Sequence, residues 1–393
     1  MSRPTSRRGF LKGGSLAALG AGLAPGAART QPRRPPAGQS PTAPAPATAA
    51  ELQRFIPELM SHTGVPGLSI AVIRDAKIVW RQGFGVRNKE TGEPVTTETA
   101  FSAASFSKAA FAYATLRLVE RGRLDLDKPL WDYRPNYFLP AGDPRSKLIT
   151  ARMILSHTSG LHYRTDDKLT KIYTTPGEKW FYSPQGYGYL QRIVEHVTGQ
   201  PVAEFMRANL LEPFGMTESS YDWSEKYERE AAKGYDREGK PTQDFYDKFR
   251  GFSAEEKAKI LAVQPEDAAP GAGFSLYSTP TDYARFLVEI MRPARRGDFH
   301  LSERMAAEML KPQIRVAYSL DWGLGWEVEH GEAGDAFYHY GNSGHFQSIA
   351  VAHPPLGRGV VVMTNSANGL KLIDKLAPLA LGTSSMTYLY TFA

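Results

Sequence analysis

Apolar side chains recur at helical spacing from Ala49 to His62, at Leu52, Phe55, Ile56, Leu59 and Met60. That period predicts an amphipathic helix, which Gly64-Val65-Pro66-Gly67 stops. Leu68–Ile73 and Ile78–Phe84 are short apolar runs on either side of Asp75-Ala76-Lys77, and predict a hairpin. A longer apolar run opens at Ser105, reads as a helix to about Glu120 and is stopped by Gly122. The middle third predicts helices joined by Gly- and Pro-rich loops. Its clearest helix, Tyr187–Gly199, sets Leu190, Ile193, Val194 and Val197 on one face. From Trp223 to Leu261 the charged residues match no period, so this stretch reads as a solvated excursion, an insertion or a lid. Near the end, Phe337–Tyr340, Gln347–His353 and Val360–Asn365 predict three strands with tight Gly/Pro turns. No internal repeat is visible. Strands at both chain ends around a helical middle predict an α+β fold, an α/β sandwich. Its antiparallel sheet is formed from both chain ends and flanked by helices, with a mainly helical subdomain inserted.

Charge changes the picture only at the N-terminus. The 393 residues carry a formal net charge of +6. Residues 1–50 hold Arg3, Arg7, Arg8, Lys12, Arg29, Arg33 and Arg34 and no acidic residue, leaving 40 basic against 41 acidic residues in the remainder. The folded part is near neutral, which gives no support to a nucleic-acid partner. Ser6-Arg7-Arg8-Gly9-Phe10-Leu11-Lys12 resembles a twin-arginine export signal, and the glycine-diluted stretch Gly13–Ala28 is too short for a stable membrane span. The expected organisation is a signal peptide over 1–30, a Pro/Ala-rich linker over 31–50 and one folded domain over 51–385. Small-residue cleavage sites occur near Ala28 and between Ala43 and Ala49. The resemblance implies export of an already folded protein to the periplasm or beyond, with no membrane span after cleavage. The chain has no cysteine, which excludes disulfides, a thiol nucleophile and Cys-ligated metal.

The candidate chemistry begins at Ser105-Phe106-Ser107-Lys108. A serine three residues before a lysine on a helix shares its face, one turn away. A serine hydroxyl needs a neighbour to take its proton, and a desolvated lysine can do so. The helix N-terminus adds backbone N–H groups suited to an oxyanion. Alone, the spacing is common, and Ser105 as a plain helix cap with a solvated Lys108 accounts for it as well.

Further blocks follow in order: Ile154-Leu155-Ser156-His157-Thr158-Ser159-Gly160-Leu161, then Pro176-Gly177-Glu178-Lys179-Trp180-Phe181-Tyr182-Ser183-Pro184, then His339-Tyr340-Gly341. In this order they resemble the serine β-lactamase and penicillin-binding-protein superfamily, nearest its class C β-lactamase and DD-peptidase/esterase branch, over roughly residues 50–380. The resemblance implies an acyl-enzyme on Ser105, with Lys108 either accepting the serine proton or holding the site positive. It implies Tyr182 as a proton relay, and His339 where many relatives carry lysine, able to donate to Tyr182 or to a substrate carboxylate and charged only when protonated. It implies the N–H groups of Ser105 and Asn342 as an oxyanion hole, with Gly341 letting its strand approach the substrate closely. Tyr187 and Tyr189 read as packing residues, and His157 as a structural residue of its loop.

One position departs from the pattern. Pro184 stands where the family usually has an asparagine that contacts a substrate amide, and it has no side-chain donor or acceptor. This puts recognition of acylamino substrates in doubt, with Gln185 as a possible substitute. His339, His345 and His353 lack metal-ligand spacing, a Gly-x-Ser-x-Gly elbow is absent, and Gly271-Ala272-Gly273 fits no phosphate loop. The expected function is an exported serine hydrolase that cleaves an amide, β-lactam or ester bond and needs no cofactor or metal. Its partner would be a small-molecule or peptide acyl substrate. The alternatives are a carboxylesterase on small acyl substrates and a non-catalytic β-lactam or peptide sensor.

Overall fold

Thr48 and Glu51 cap each other at the start of the first helix, Ala49–Thr63, and Gly64 ends it in the left-handed conformation. This is the helix the apolar period predicts, and Leu52, Ile56 and Met60 are its buried face. It belongs to a computed structural model that describes residues 45–135, 142–161, 171–242, 271–292 and 297–383. The export-signal reading on residues 1–30, and most of the linker reading, lie outside these residues.

Strands β1 (Gly67–Arg74) and β2 (Lys77–Gly85) form the expected hairpin. Its turn closes in two residues, Asp75 and Ala76, both at positive φ, as the right-handed strand twist favours. Strands β3 (Phe101–Ser102) and β4 (Tyr277–Ser278) make a separate two-stranded pair. In the main sheet, β5 (Ile314–Ala317), β6 (Leu320–Trp322), β7 (Glu327–Gly331), β8 (Gly334–Asn342), β9 (Gln347–His353) and β10 (Arg358–Thr364) follow. The order is β2-β1-β10-β9-β8-β7-β6-β5, with every neighbour antiparallel. The first strand thus pairs with the last, Leu68 opposite Thr364. The sheet is the one expected from both chain ends, but β5, β6 and β7 are additions that the sequence pattern did not predict.

Alternation along the central strands explains the layers. In β1, Leu68, Ile70 and Val72 face one apolar cluster, and Ala71 and Ile73 face the other. The first cluster is covered by the Ala49–Thr63 helix and by Gly369–Leu381. The second is covered by Phe106–Glu120, Pro280–Met291 and the helices between them. Phe106–Glu120 is buried from Phe106 through Leu118, its few polar side chains (Ser107, Lys108, Thr115 and Arg117) included.

Between the strands lie the helices Ala151–Leu155, Pro184–Thr198, Val202–Met206 and Glu225–Glu230, and before β5 lies Glu303–Leu310. Part of the charged stretch from Trp223 is packed rather than solvated. Trp223, Tyr227 and Tyr277 pack together through tilted and edge-on ring contacts, and Tyr235 is buried and bridges to Ser366. Residues 243–261 of that stretch lie outside the described residues. Among the described residues, no helix is long and apolar enough to cross a membrane.

Candidate active site

Ser105 occupies the N-cap position of the Phe106–Glu120 helix, yet its side chain makes no capping bond. Its Oγ instead accepts from Lys108 Nζ at 3.1 Å and from Tyr182 Oη at 2.7 Å. Lys108 is only 2% exposed, so the plain-cap reading with a solvated lysine fails on both residues. The ammonium position is completed by the Gly273 carbonyl at 2.7 Å and by the rings of Tyr182 and Tyr187 at 4.9 and 5.8 Å. Burial pushes Lys108 from its ordinary 10.5 down to about 7, because charge is costly away from water.

The turn that delivers Ser105 is tightly braced. Ala104 is held at φ +45, and Ser107 Oγ donates to the Ala104 carbonyl at 2.6 Å. Ser107 Oγ also accepts from Leu276 N–H at 3.0 Å, and Ala103 N–H donates to the Leu276 carbonyl at 2.8 Å. These bonds join the serine turn to the Gly271–Leu276 segment that presents the Gly273 carbonyl. Sequence reasoning missed both Ser107 and that carbonyl. A backbone acceptor leaves no side-chain signature.

Tyr182 reaches the site from the loop before the Pro184–Thr198 helix. Ser183 caps that helix by accepting from Gly186 N–H at 3.1 Å, and Pro184 fills its first turn. Pro184 therefore has a local structural reason: it starts the helix that carries the Tyr182 loop. Desolvation raises the Tyr182 phenol above its ordinary 10.0, with a contribution from the Glu327 carboxyl, against the hydrogen bond to Ser105. Glu327, on β7, is itself fully buried and held well above the ordinary carboxyl range by that burial. The sequence pattern did not mark it.

His339 lies on β8, buried, with its ring edge-on to Trp322 and Trp326. Its Nδ1 donates to the Tyr340 carbonyl at 2.8 Å, while Nε2 has no partner among the described residues. Burial, then Lys108, pushes the ring down to about 3. The neutral ring has thus spent its only N–H on the backbone, and the expected donation to Tyr182 is not made. Gly341 does serve a close approach, but to protein: a Cβ there would lie 2.4 Å from the Ala103 carbonyl oxygen. The bare glycine lets β8 pack on the turn leading into Ser105. Asn342 ends β8, exposed, with its Oδ1 accepting from Gly344 N–H at 2.8 Å.

A serine held by a buried lysine, with a tyrosine on the serine oxygen, beside an antiparallel sheet made from both chain ends, defines a class of serine hydrolases. Residues 52–383 match the beta-lactamase family model, and the chain belongs to that family. At that level it is a serine hydrolase. The chain is 27% identical to esterase EstB of Burkholderia gladioli over 71% of its own length and 79% of the esterase. To protein flp of Staphylococcus aureus (strain N315) it is 22% identical, over 80% of this chain but only 62% of flp. An octameric penicillin-binding protein homologue from Pyrococcus abyssi superposes with a TM-score of 0.68 at 25% identity, over 85% of this chain and 80% of the other. The D-alanine carboxypeptidase AmpC of Burkholderia cenocepacia shares the fold, with a TM-score of 0.69 at 21% identity over 85% of this chain and 99% of that one.

Proposed function

We propose that this protein is an exported hydrolase that cleaves an amide, β-lactam or ester bond through an acyl intermediate on Ser105. The observation that carries the reading is the convergence of Lys108 Nζ and Tyr182 Oη on one serine oxygen. Of the two candidate bases, Lys108 is the better. Its amine is substantially neutral near pH 7, whereas Tyr182 keeps its proton. In this mechanism Ser105 Oγ bonds to the substrate carbonyl carbon as its proton passes to Lys108 Nζ. The carbonyl electron pair moves to oxygen, where the N–H groups of Ser105 and Asn342 receive it. Collapse expels the alcohol or amine, protonated by Tyr182, and Lys108 returns a proton to Tyr182. Water then reverses the sequence and frees the acid.

Within this reading an ester substrate is favoured over a β-lactam or D-amino-acid peptide. His339 stays uncharged where many relatives of the family carry a lysine, so the strand offers no fixed cation to a substrate carboxylate. Pro184 offers no amide, and the relative EstB is an esterase.

The test compares a short-chain nitrophenyl ester with a chromogenic cephalosporin, using the wild type and Ser105→Ala. The expected result is faster ester turnover, a Ser105 adduct by intact mass after fluorophosphonate treatment, and no turnover by the variant. The ester rate should fall as pH drops through about 7, where Lys108 takes up a proton. A labelled serine elsewhere, or an active Ser105→Ala, would refute the assignment. A long-lived β-lactam adduct without turnover would instead identify a sensor.

A further inference from the structure

Three contacts tie the fully buried His157 to the segment that carries Tyr182. Its carbonyl accepts from Phe181 N–H at 2.8 Å, and its Nδ1 accepts from Ser183 N–H at 3.0 Å. Its imidazole lies against the Tyr182 ring, with centroids 4.4 Å and planes 32° apart. One residue therefore holds the backbone on each side of Tyr182 and the ring between. Behind it, Trp322 meets the imidazole edge-on at 4.7 Å and Tyr187 lies at 5.3 Å, so the imidazole is itself held.

The backbone of His157 sits at φ +56, a region that non-glycine residues enter at a cost. The tautomer follows from the bonds. An Nδ1 that accepts from an amide carries no proton, so the ring hydrogen is on Nε2, which meets no partner among the described residues. A second proton would set N–H against N–H and add charge beside Lys108. Burial, then Lys108 and His339, hold the ring neutral well below its ordinary range. His157 is thus unsuited to carrying protons and suited to holding a shape.

We propose that His157 is the positioning residue that sets the reach of Tyr182 to Ser105, as a neutral acceptor and a ring platform. The proposal rests on Tyr182 exchanging a proton at the serine, as set out above. A misplacement of about 1 Å at such a contact costs roughly 100-fold in rate, while substrate binding remote from the phenol is spared.

Two substitutions separate the roles, each made in the wild type and in Tyr182→Phe. His157→Asn keeps an acceptor near the Nδ1 position and tolerates the left-handed backbone. His157→Phe keeps the ring and removes the acceptor. For ester hydrolysis, His157→Phe should lower kcat by about 10- to 100-fold with KM within about 3-fold, and His157→Asn should stay within about 5-fold of wild type. In the Tyr182→Phe background, His157→Phe should lower kcat by less than about 2-fold, because the group it positions is gone. If His157→Phe does not fold, His157→Gly removes the acceptor while relieving the backbone, and the same coupling is read from it.

Additive losses in the two backgrounds would overturn the proposal. So would an equal loss in His157→Asn and His157→Phe at unchanged melting temperatures. Failure of the underlying reading looks different: Tyr182→Phe would keep full activity, or fluorophosphonate would label a serine other than Ser105.

Discussion

Replacing Lys108 by methionine should abolish turnover and stabilise the fold at neutral pH. In the unfolded chain the amine holds its proton up to about 10.5, whereas in the folded protein it does so only to about 7. The unfolded state therefore binds more protons between these values, so wild-type stability rises with pH across this window. A gap of about 3.5 pH units, at about 1.36 kcal/mol each, makes the cost near pH 7 about 4–5 kcal/mol. Methionine keeps most of the apolar stem and titrates nothing, but it abandons the Gly273 carbonyl, a loss of about 1–3 kcal/mol. The net gain at pH 7 is about 1–4 kcal/mol. For a domain of this length that is about 1–6 °C in melting temperature. Melting curves of both proteins from pH 6.5 to 10.5 test it. The advantage of Lys108→Met should shrink as pH rises and reverse near the top of the range. A difference that stays flat across this range, or a variant less stable at pH 7, would show that Lys108 is a charged ammonium stabilised by its partners. The choice of Lys108 as base would then be wrong.

Gly341→Ala should cost about 1–3 kcal/mol by overpacking and lower ester turnover at least about 10-fold, since its Cβ would push on the Ala103 carbonyl next to the serine turn; melting and steady-state kinetics check both. Pro184→Asn should raise the β-lactam-to-ester rate ratio by roughly 2- to 12-fold, the worth of one neutral hydrogen bond. An unchanged ratio at a normal melting temperature would remove Pro184 from specificity. Substituting Lys for both Arg7 and Arg8 should leave the full-length protein in the cytoplasm on cell fractionation, and export at the wild-type level would sink the twin-arginine proposal.

The parts of this protein governed by local rules were legible before the fold was known. One helical turn brings Ser105 and Lys108 onto one face whatever surrounds them, and the apolar run of Gln347–His353 corresponds residue for residue to β9. Strands β5 to β7 were not, because they are three to five residues long and Trp322-Gly323-Leu324-Gly325-Trp326 breaks any alternation. The state of His339 was likewise invisible. Its neutrality comes from burial against Trp322 and Trp326, tryptophans brought there by those unread strands and the turn between β6 and β7. His157 reads from sequence as structural, but its grip on both neighbours of Tyr182 depends on a backbone conformation that the sequence does not announce.

The pairing of β1 with β10 has a consequence for how the chain is made. Leu68 finds its partner Thr364 only after the nearly 300 residues between them have left the ribosome, and the layer over Phe106–Glu120 cannot close before then. Helices can flicker into being during synthesis, but the sheet at the centre must wait for the last strand, and contacts this distant in sequence are slow to form. The central sheet therefore closes late relative to the helices it covers, long after one helical turn has brought Ser105 and Lys108 together. A chain released early would carry the SxxK helix without the β8–β10 half of the sheet that buries it, and so would have no catalytic competence.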